Sequence, residues 1–407
     1  MNTVFQKLLS IFMSAVMFLS AGLFAGRSTE DASAIVNNEF ARAGYELTLK
    51  ILDKSYNLTS HKTLDYMGQS NFAYVWPAAS LIESVADAYR LFPGSLRLRA
   101  YYGDMLTNGL GRYLVKDAVI TAPQKEYGGI SYYNSYPGGK GDYYYDDNEW
   151  VCIQLLLGYG QLGRSELLKA AEDNLEFLWT GWDNTLGGGI YWSSKYESKN
   201  ACSNAPAAIA FLLAYRFTRN EEYLEKGRMI FDWMNSNFRE NDLFIDSINV
   251  ENGAKNHWKG IYNQATAIYA GSLLYEITGE KEYYDLTSAT VKATVPHMFT
   301  ETQNEDGTAD INMNENPIFK AWCVGWLARS YEKFYNVDPG KDTAPMNYVA
   351  AVLKKELGTK DKDGFYDPYF CSGGVDEENY TEVLGQDGVA SAFLCTAYYE
   401  TLLKRLR

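Results

Sequence analysis

Apolar residues recur at i, i+3 and i+4 over long stretches of this chain, which is the period of a helix with one buried face. Six such stretches end alike: "SVADAYRLFPG", "LLLGYGQLGRSELL", "FLLAYRFTRNEEYL", "GSLLYEITGEKEYY", "WLARSYEKFYNVDPG" and "LCTAYYETLL". A tyrosine marks each one (Tyr89, Tyr159, Tyr215, Tyr275, Tyr331 and Tyr398), and these are spaced 56 to 70 residues apart. The first five are followed by a short turn and a second amphipathic run, as at 221–235 and 281–297, and a further run, 35–56, precedes the first. A unit repeated at such a period cannot bury its apolar face alone, so it stacks on its copies. Twelve helices in six hairpins predict an (α/α)6 toroid. The more apolar helix of each pair would line an inner ring and the other an outer ring. An open solenoid is the alternative, but six units favour closure. Period-two alternation is scarce, so the fold is predicted to be all-α, with residues 35–407 forming one domain.

The connections are lopsided. Turns leaving the apolar helices are short: "PG", "LGRS", "TRNEE" and "TGEKE". The return loops are long, roughly 57–75, 116–145, 181–203, 238–261, 298–316 and 357–386, and loops of that length in a globular chain tend to carry function. All six should emerge on one face. They are rich in aromatic residues, Asn, Gln and Gly, as in "NFAYVW", "GGGIYWSSKYESKN" and "NHWKGIYNQ". Flat rings beside uncharged donors and acceptors suit a carbohydrate cleft.

Composition narrows the partners. The chain of 407 residues carries a net charge of −14, which argues against nucleic acid or an anionic membrane. It has 33 Tyr and 9 Trp. The three histidines (His61, His257 and His297) lack metal-ligand spacing, and the five cysteines form no CxxC pair, so neither metal nor cofactor is expected and the thiols read as free. "DKDGFYD", with Asp361 and Asp363, lacks the downstream glutamate of a calcium loop and reads as a turn. Residues 1–25 read as an export signal: Lys7 is their only charge, an apolar run spans 8–24, and cleavage fits after Ala25 or at Ala32–Ser33–Ala34. No cysteine follows that run, so a lipoprotein anchor is not expected, and no later segment is apolar enough to span a membrane. A monomeric, exported protein acting on a glycan is the expectation.

One stretch stands out: "YYYDDNEW", residues 143–150. Two readings are open. D-D-N-E fits a capping box, with Asp146 as N-cap and Glu149 reaching back. Alternatively, Asp146 and Asp147 are the paired carboxyls of a glycosidase, close enough for the retaining arrangement, where mutual repulsion keeps one protonated and one ionised.

With "WDNTLGGGIYW", "KNACSN" and "YNQATAIYAGSLLYEITGEKEYY", this stretch resembles glycoside hydrolase family 76, the bacterial and fungal endo-α-1,6-mannanases, over most of the chain after the signal. The resemblance implies an (α/α)6 toroid and a retaining mechanism, with Asp146 as nucleophile and Asp147 as general acid/base. It also makes Trp76, Tyr145, Trp192, Asn200, Asn204, Tyr262, Asn263 and Gln264 candidate sugar contacts. The chain departs from the pattern at Glu149, Val151 and Ala265, which touches subsite preference more than reaction type. Three other functions remain in view: transglycosylation by the same site, a sugar epimerase of the same fold that would need histidines such as His257, and a non-catalytic glycan-binding protein.

Overall fold

The structure, a computed structural model, describes residues 35 and 37–405, leaving out 124, 140, 305–308, 315–319 and 371–380. The expected signal segment and the "CSGG" stretch that begins at Cys371 lie outside the described residues.

Twelve α-helices are found among the described residues: α1 Glu39–Ser55, α2 Val75–Leu91, α3 Leu96–Asp104, α4 Tyr145–Leu162, α5 Ser165–Thr180, α6 Ala205–Thr218, α7 Glu221–Phe238, α8 Ile261–Thr278, α9 Lys281–Met298, α10 Lys320–Val337, α11 Ala344–Glu356 and α12 Val383–Arg405. The even-numbered helices pack in the order α2–α4–α6–α8–α10–α12, and α12 packs back onto α2, so the ring is closed. The odd-numbered helices form the outer layer. The protein is an (α/α)6 toroid.

The two rings differ as their sequences do. In α6 every residue from 205 to 214 is buried, whereas outer α7 buries a single stripe of Gly227, Ile230, Phe231, Trp233, Met234 and Phe238. A helix wedged between neighbours must be apolar all round; a helix against solvent needs one stripe. The short turns close on left-handed residues, Gly163 (φ 68°) after α4 and Gly279 (φ 71°) after α8, where glycine has no Cβ penalty. Gly388 serves a different need. A Cβ there would come within 2.2 Å of the Trp322 backbone nitrogen, so only glycine lets α12 approach α10 this closely.

Two details differ from the sequence reading. Five hairpins are contiguous in the chain, but the sixth joins α12 to α1, its first and last helices. The return loops also hold short antiparallel sheets: β1 Tyr56–Asn57 with β2 Lys62–Thr63, β3 Leu114–Ala122 with β4 Lys125–Tyr133, β5 Ser198–Asn200 with β8 Ser247–Asn249 and β9 Lys255–Asn256, β6 Arg239–Glu240 with β7 Leu243–Phe244, and β10 Phe299–Gln303 with β11 Ala309–Met313. The nine-residue strands of β3–β4 begin two residues before what reads as loop 116–145 and fill its first half. Their register slips between Val115 and Ala118 and again before Ile120, which breaks the alternation that would have marked them as strands.

The end of the ring away from these loops is filled by charge. Arg329 on α10 bonds Glu83 and Asp87 on α2, and Arg90 meets Glu332 at 3.0 Å. The "DKDGFYD" segment is a turn, with the Phe365 N–H donating to Asp361 Oδ1 at 2.8 Å and Gly364 at φ 83°. Among the described residues no helix is long and apolar enough to cross a membrane, and no group of His, Cys, Asp and Glu is arranged to hold a metal ion.

Candidate functional site

All the inner helices start at the loop face, and the aspartate pair lies in the first turn of α4. The N-cap is Tyr144, which makes no side-chain cap bond. Asp146 does not close a capping box. One of its oxygens, Oδ1, accepts the neighbouring Asp147 N–H at 2.8 Å; the other, Oδ2, accepts from Trp192 Nε1 at 2.8 Å and faces Cys202 Sγ at 3.5 Å. Glu149, the expected partner in the box, is instead fully buried and makes no bond back to the start of the helix.

The two aspartates therefore differ in environment although they are neighbours in sequence. Burial raises both. Donation from Trp192, the Asp147 amide and Cys202 limits the rise at Asp146, which is pushed up to about 6. The Asp147 side chain has no such donor; burial and then the Asp146 charge hold it well above the usual carboxylate range. Glu149 is held well above its ordinary value by burial and by both aspartates. The hydrogen-bonded Asp146 is thus the partner favoured to carry the charge and Asp147 the one favoured to hold the proton, the separation acid–base chemistry requires.

The pair sits where two spaces meet. A pocket of about 190 Å³ lies on one side, walled by Trp76, Trp150, Trp192 and Trp322 and by Tyr262, Asn200 and Cys202. Trp322 meets Trp76 and Trp150 edge-on, at 5.4 and 5.0 Å between centroids. A larger open groove of about 630 Å³ shares Trp76, Trp192 and both aspartates and runs out past Tyr74, Tyr144, Asp65 and Glu382. Of the residues singled out from sequence, the structure brings Asp146, Asp147, Trp76, Trp192, Asn200 and Tyr262 together here.

It does not bring the other four. Tyr145 is fully buried, stacked on Phe177 at 4.9 Å with its hydroxyl 3.1 Å from Thr180 Oγ1. Asn263 is fully buried and its amide has no hydrogen-bond partner. Asn204 and Gln264 are loop clamps. Asn204 accepts the Ile190 N–H at 2.8 Å and donates to the Ile190 carbonyl at 3.0 Å; Gln264 does the same to Phe244, both at 2.8 Å. Asn148 repeats the device on Tyr133 (2.7 and 2.9 Å), and Gln386 repeats it on Tyr366 (3.2 and 2.7 Å). Four inner helices thus open with a buried amide that mimics a strand partner for one residue of the loop before it.

The sequence reading missed Trp150, Trp322 and Cys202. Trp150 could have been found by spacing, since it stands three and four residues after the pair and so shares their helix face. His257 forms a rim contact with Glu240 (Nδ1 to carboxylate, 2.9 Å) and lines neither space, which removes the basis for an epimerase using it as acid and base. Of the four cysteines described, Cys152, Cys323 and Cys395 are buried, and only Cys202 reaches the pocket.

Comparison with known proteins bears on this site. Residues 39–374 match the model of glycosyl hydrolase family 76. A stretch of 127 residues is 30% identical to a mannan endo-1,6-α-mannosidase of Candida glabrata, and it covers 28% of this chain and 28% of that protein. Among solved structures, a family 76 mannosidase of Bacteroides thetaiotaomicron superposes with a TM-score of 0.76 at 20% identity, over 91% of this chain and 100% of that one. An α-1,6-mannanase of Salegentibacter, solved with α-1,6-mannotriose, superposes with a TM-score of 0.68 at 21% identity, over 89% and 100%. That form is described as inactive and carries asparagine at two consecutive aspartates.

Proposed function

Because the chain belongs to glycosyl hydrolase family 76 and is a glycoside hydrolase, we propose that it cleaves α-1,6-mannosidic linkages inside a mannan chain, with retention of configuration. The observation that carries the reading is the unequal pair at the junction of pocket and groove. Asp146, held ionised by its donors, attacks the anomeric carbon as Asp147 gives its proton to the departing glycosidic oxygen. That step leaves a mannosyl ester on Asp146 and an ionised Asp147. Asp147 then takes a proton from water, whose oxygen displaces the ester and restores both groups. The Salegentibacter variant lends support, since two consecutive aspartates were exchanged to give an inactive protein that holds an α-1,6-linked trisaccharide. The leader read in residues 1–25 supports export of the enzyme.

Endo action is supported by the groove. It is open, and at about 630 Å³ it has room for several sugar units on one side of the pair. A digest of linear α-1,6-mannan should give an early ladder of oligosaccharides and a rapid fall in mean chain length. Release of mannose alone, with the polymer otherwise at full length, would exclude it.

Cys202 offers a finer test. Burial and the Asp146 charge raise its thiol well above the ordinary value, so it stays protonated as a donor. Activity requires ionised Asp146, so the rate falls as pH drops through that group's pKa. Cys202→Ala removes one donor and should move this acid limb to higher pH, while Cys202→Ser should leave it near the wild-type position. Superimposable profiles for Ala and wild type would show that the thiol does not influence Asp146.

A further inference from the structure

Among the described residues few large apolar side chains are strongly exposed, and those on the loop face with aromatic rings are Tyr74, Trp192 and Trp258. Phe217 is also exposed, but it lies at the far end of α6, on the opposite side of the ring. Tyr74 and Trp192 line the open groove. Trp258 lines neither space, yet 40% of it faces solvent, as much as Trp192. Its indole leans on Tyr262 at 5.9 Å and 58°, and Tyr262 faces Trp322 at 6.0 Å inside the pocket. A row of rings therefore runs from the pocket at the aspartate pair out to Trp258, through side chains that do not line the open groove.

The backbone that carries the ring is fixed in place. The Trp258 backbone N–H donates to Asn256 Oδ1 at 3.2 Å, Asn256 pairs with Ser247 in the β8–β9 ladder, and its side-chain amide donates to Asp246 at 3.0 Å. The next residue but one, Gly260, lets the indole lie against the backbone, since a Cβ there would come within 2.4 Å of the ring. An exposed tryptophan face leaves apolar area in water, and an indole has only two side-chain torsions to fix, so covering it costs little side-chain entropy. The C–H face of a pyranose ring is a flat apolar surface of matching size.

We propose that Trp258 is the stacking platform of a distal subsite, taking a hexopyranose ring of the same mannan chain beyond the pocket. This rests on the reading of the protein as an α-1,6-mannan hydrolase. With groove residues and Trp258 both engaged, the chain would be held at more than one sugar ring.

The test compares Trp258→Ala and Trp258→Phe with wild type on α-1,6-mannotriose and on long linear α-1,6-mannan. The ratio of kcat/KM on polymer to that on trisaccharide should fall about tenfold in the alanine variant, which corresponds to the loss of one modest contact. The change should appear in KM rather than kcat, and phenylalanine should restore most of it. If the alanine variant aggregates, Trp258→Gln gives the same comparison. An unchanged ratio in an enzyme that cleaves mannan overturns the platform alone. A wild-type protein inert on both substrates overturns the mannanase reading, and the platform as a mannan subsite with it.

Discussion

Asparagine at position 146 or 147 lowers the turnover of α-1,6-mannan by about four orders of magnitude, because each exchange removes one of two groups that act in the same steps. The fold survives. Asp147 is a buried carboxyl with no donor beside a like charge, so Asp147→Asn relieves a desolvation and repulsion cost and should raise Tm slightly. Roles are separated with alanine variants, an aryl α-mannoside and azide. Azide attacking the sugar directly in Asp146→Ala gives the inverted β-azide. Azide intercepting the mannosyl ester in Asp147→Ala gives the retained α-azide. Reversal of these products would exchange the two assignments, and more than a few per cent of wild-type turnover in either asparagine variant would take the chemistry away from the pair.

The second large effect is on stability. Lys199 is fully buried, and its ammonium donates to Asp183 at 2.6 Å and to the carbonyls of Thr185 and Gly188 at 2.8 and 2.6 Å. Burial lowers the lysine pKa. Burial also works to raise Asp183, but the bond and charge of Lys199 outweigh it and hold that carboxyl below its usual range. Lys199→Met leaves Asp183 charged in the interior without its cation, held only by donors from Thr185 and Tyr191, at a cost of about 3 kcal/mol, the low end for a broken buried pair. The loop closed by this pair carries Trp192, the Asp146 donor, and leads to Asn200, so activity should fall together with Tm. The double variant Lys199→Met/Asp183→Asn should recover part of the loss, because it leaves no orphan charge. A single variant within about 1 kcal/mol of wild type in urea unfolding would contradict this account.

The ring was legible because it depends on repetition. Six tyrosine-marked helices and six long return loops are a pattern on the scale of the whole chain, and local irregularity cannot hide it. The aspartate pair was legible as chemistry but ambiguous as geometry: D-D-N-E satisfies a capping rule that Tyr144 and the buried Glu149 do not obey. The sugar contacts were read less well for a specific reason. Asn and Gln at a helix start beside a glycine-rich loop look the same whether they face a ligand or clamp a backbone. Asn200 reaches the pocket, while Asn204, four residues on, bonds Ile190. Cys202 gave no signal, because only the fold places a thiol from one loop against a carboxylate on another helix.

Closure of the ring by α12 also shapes how the chain must fold. This last described helix contacts α1, α2 and α10, and its side chains bond partners far back in sequence: Glu400 accepts from Asn38 across 362 residues, and Asp387 from Ser84 across 303. The five contiguous hairpins can each form from local contacts. The seam cannot, because it requires the entropy of a very long loop to be lost before any contact repays it. Until then α1 and α2 expose the apolar faces that α12 will cover. A ribosome or an export channel delivering this chain from its N-terminus therefore presents an open, sticky arc for most of its synthesis or passage. Joining of the two ends is the natural late step, and the one at which aggregation competes with folding.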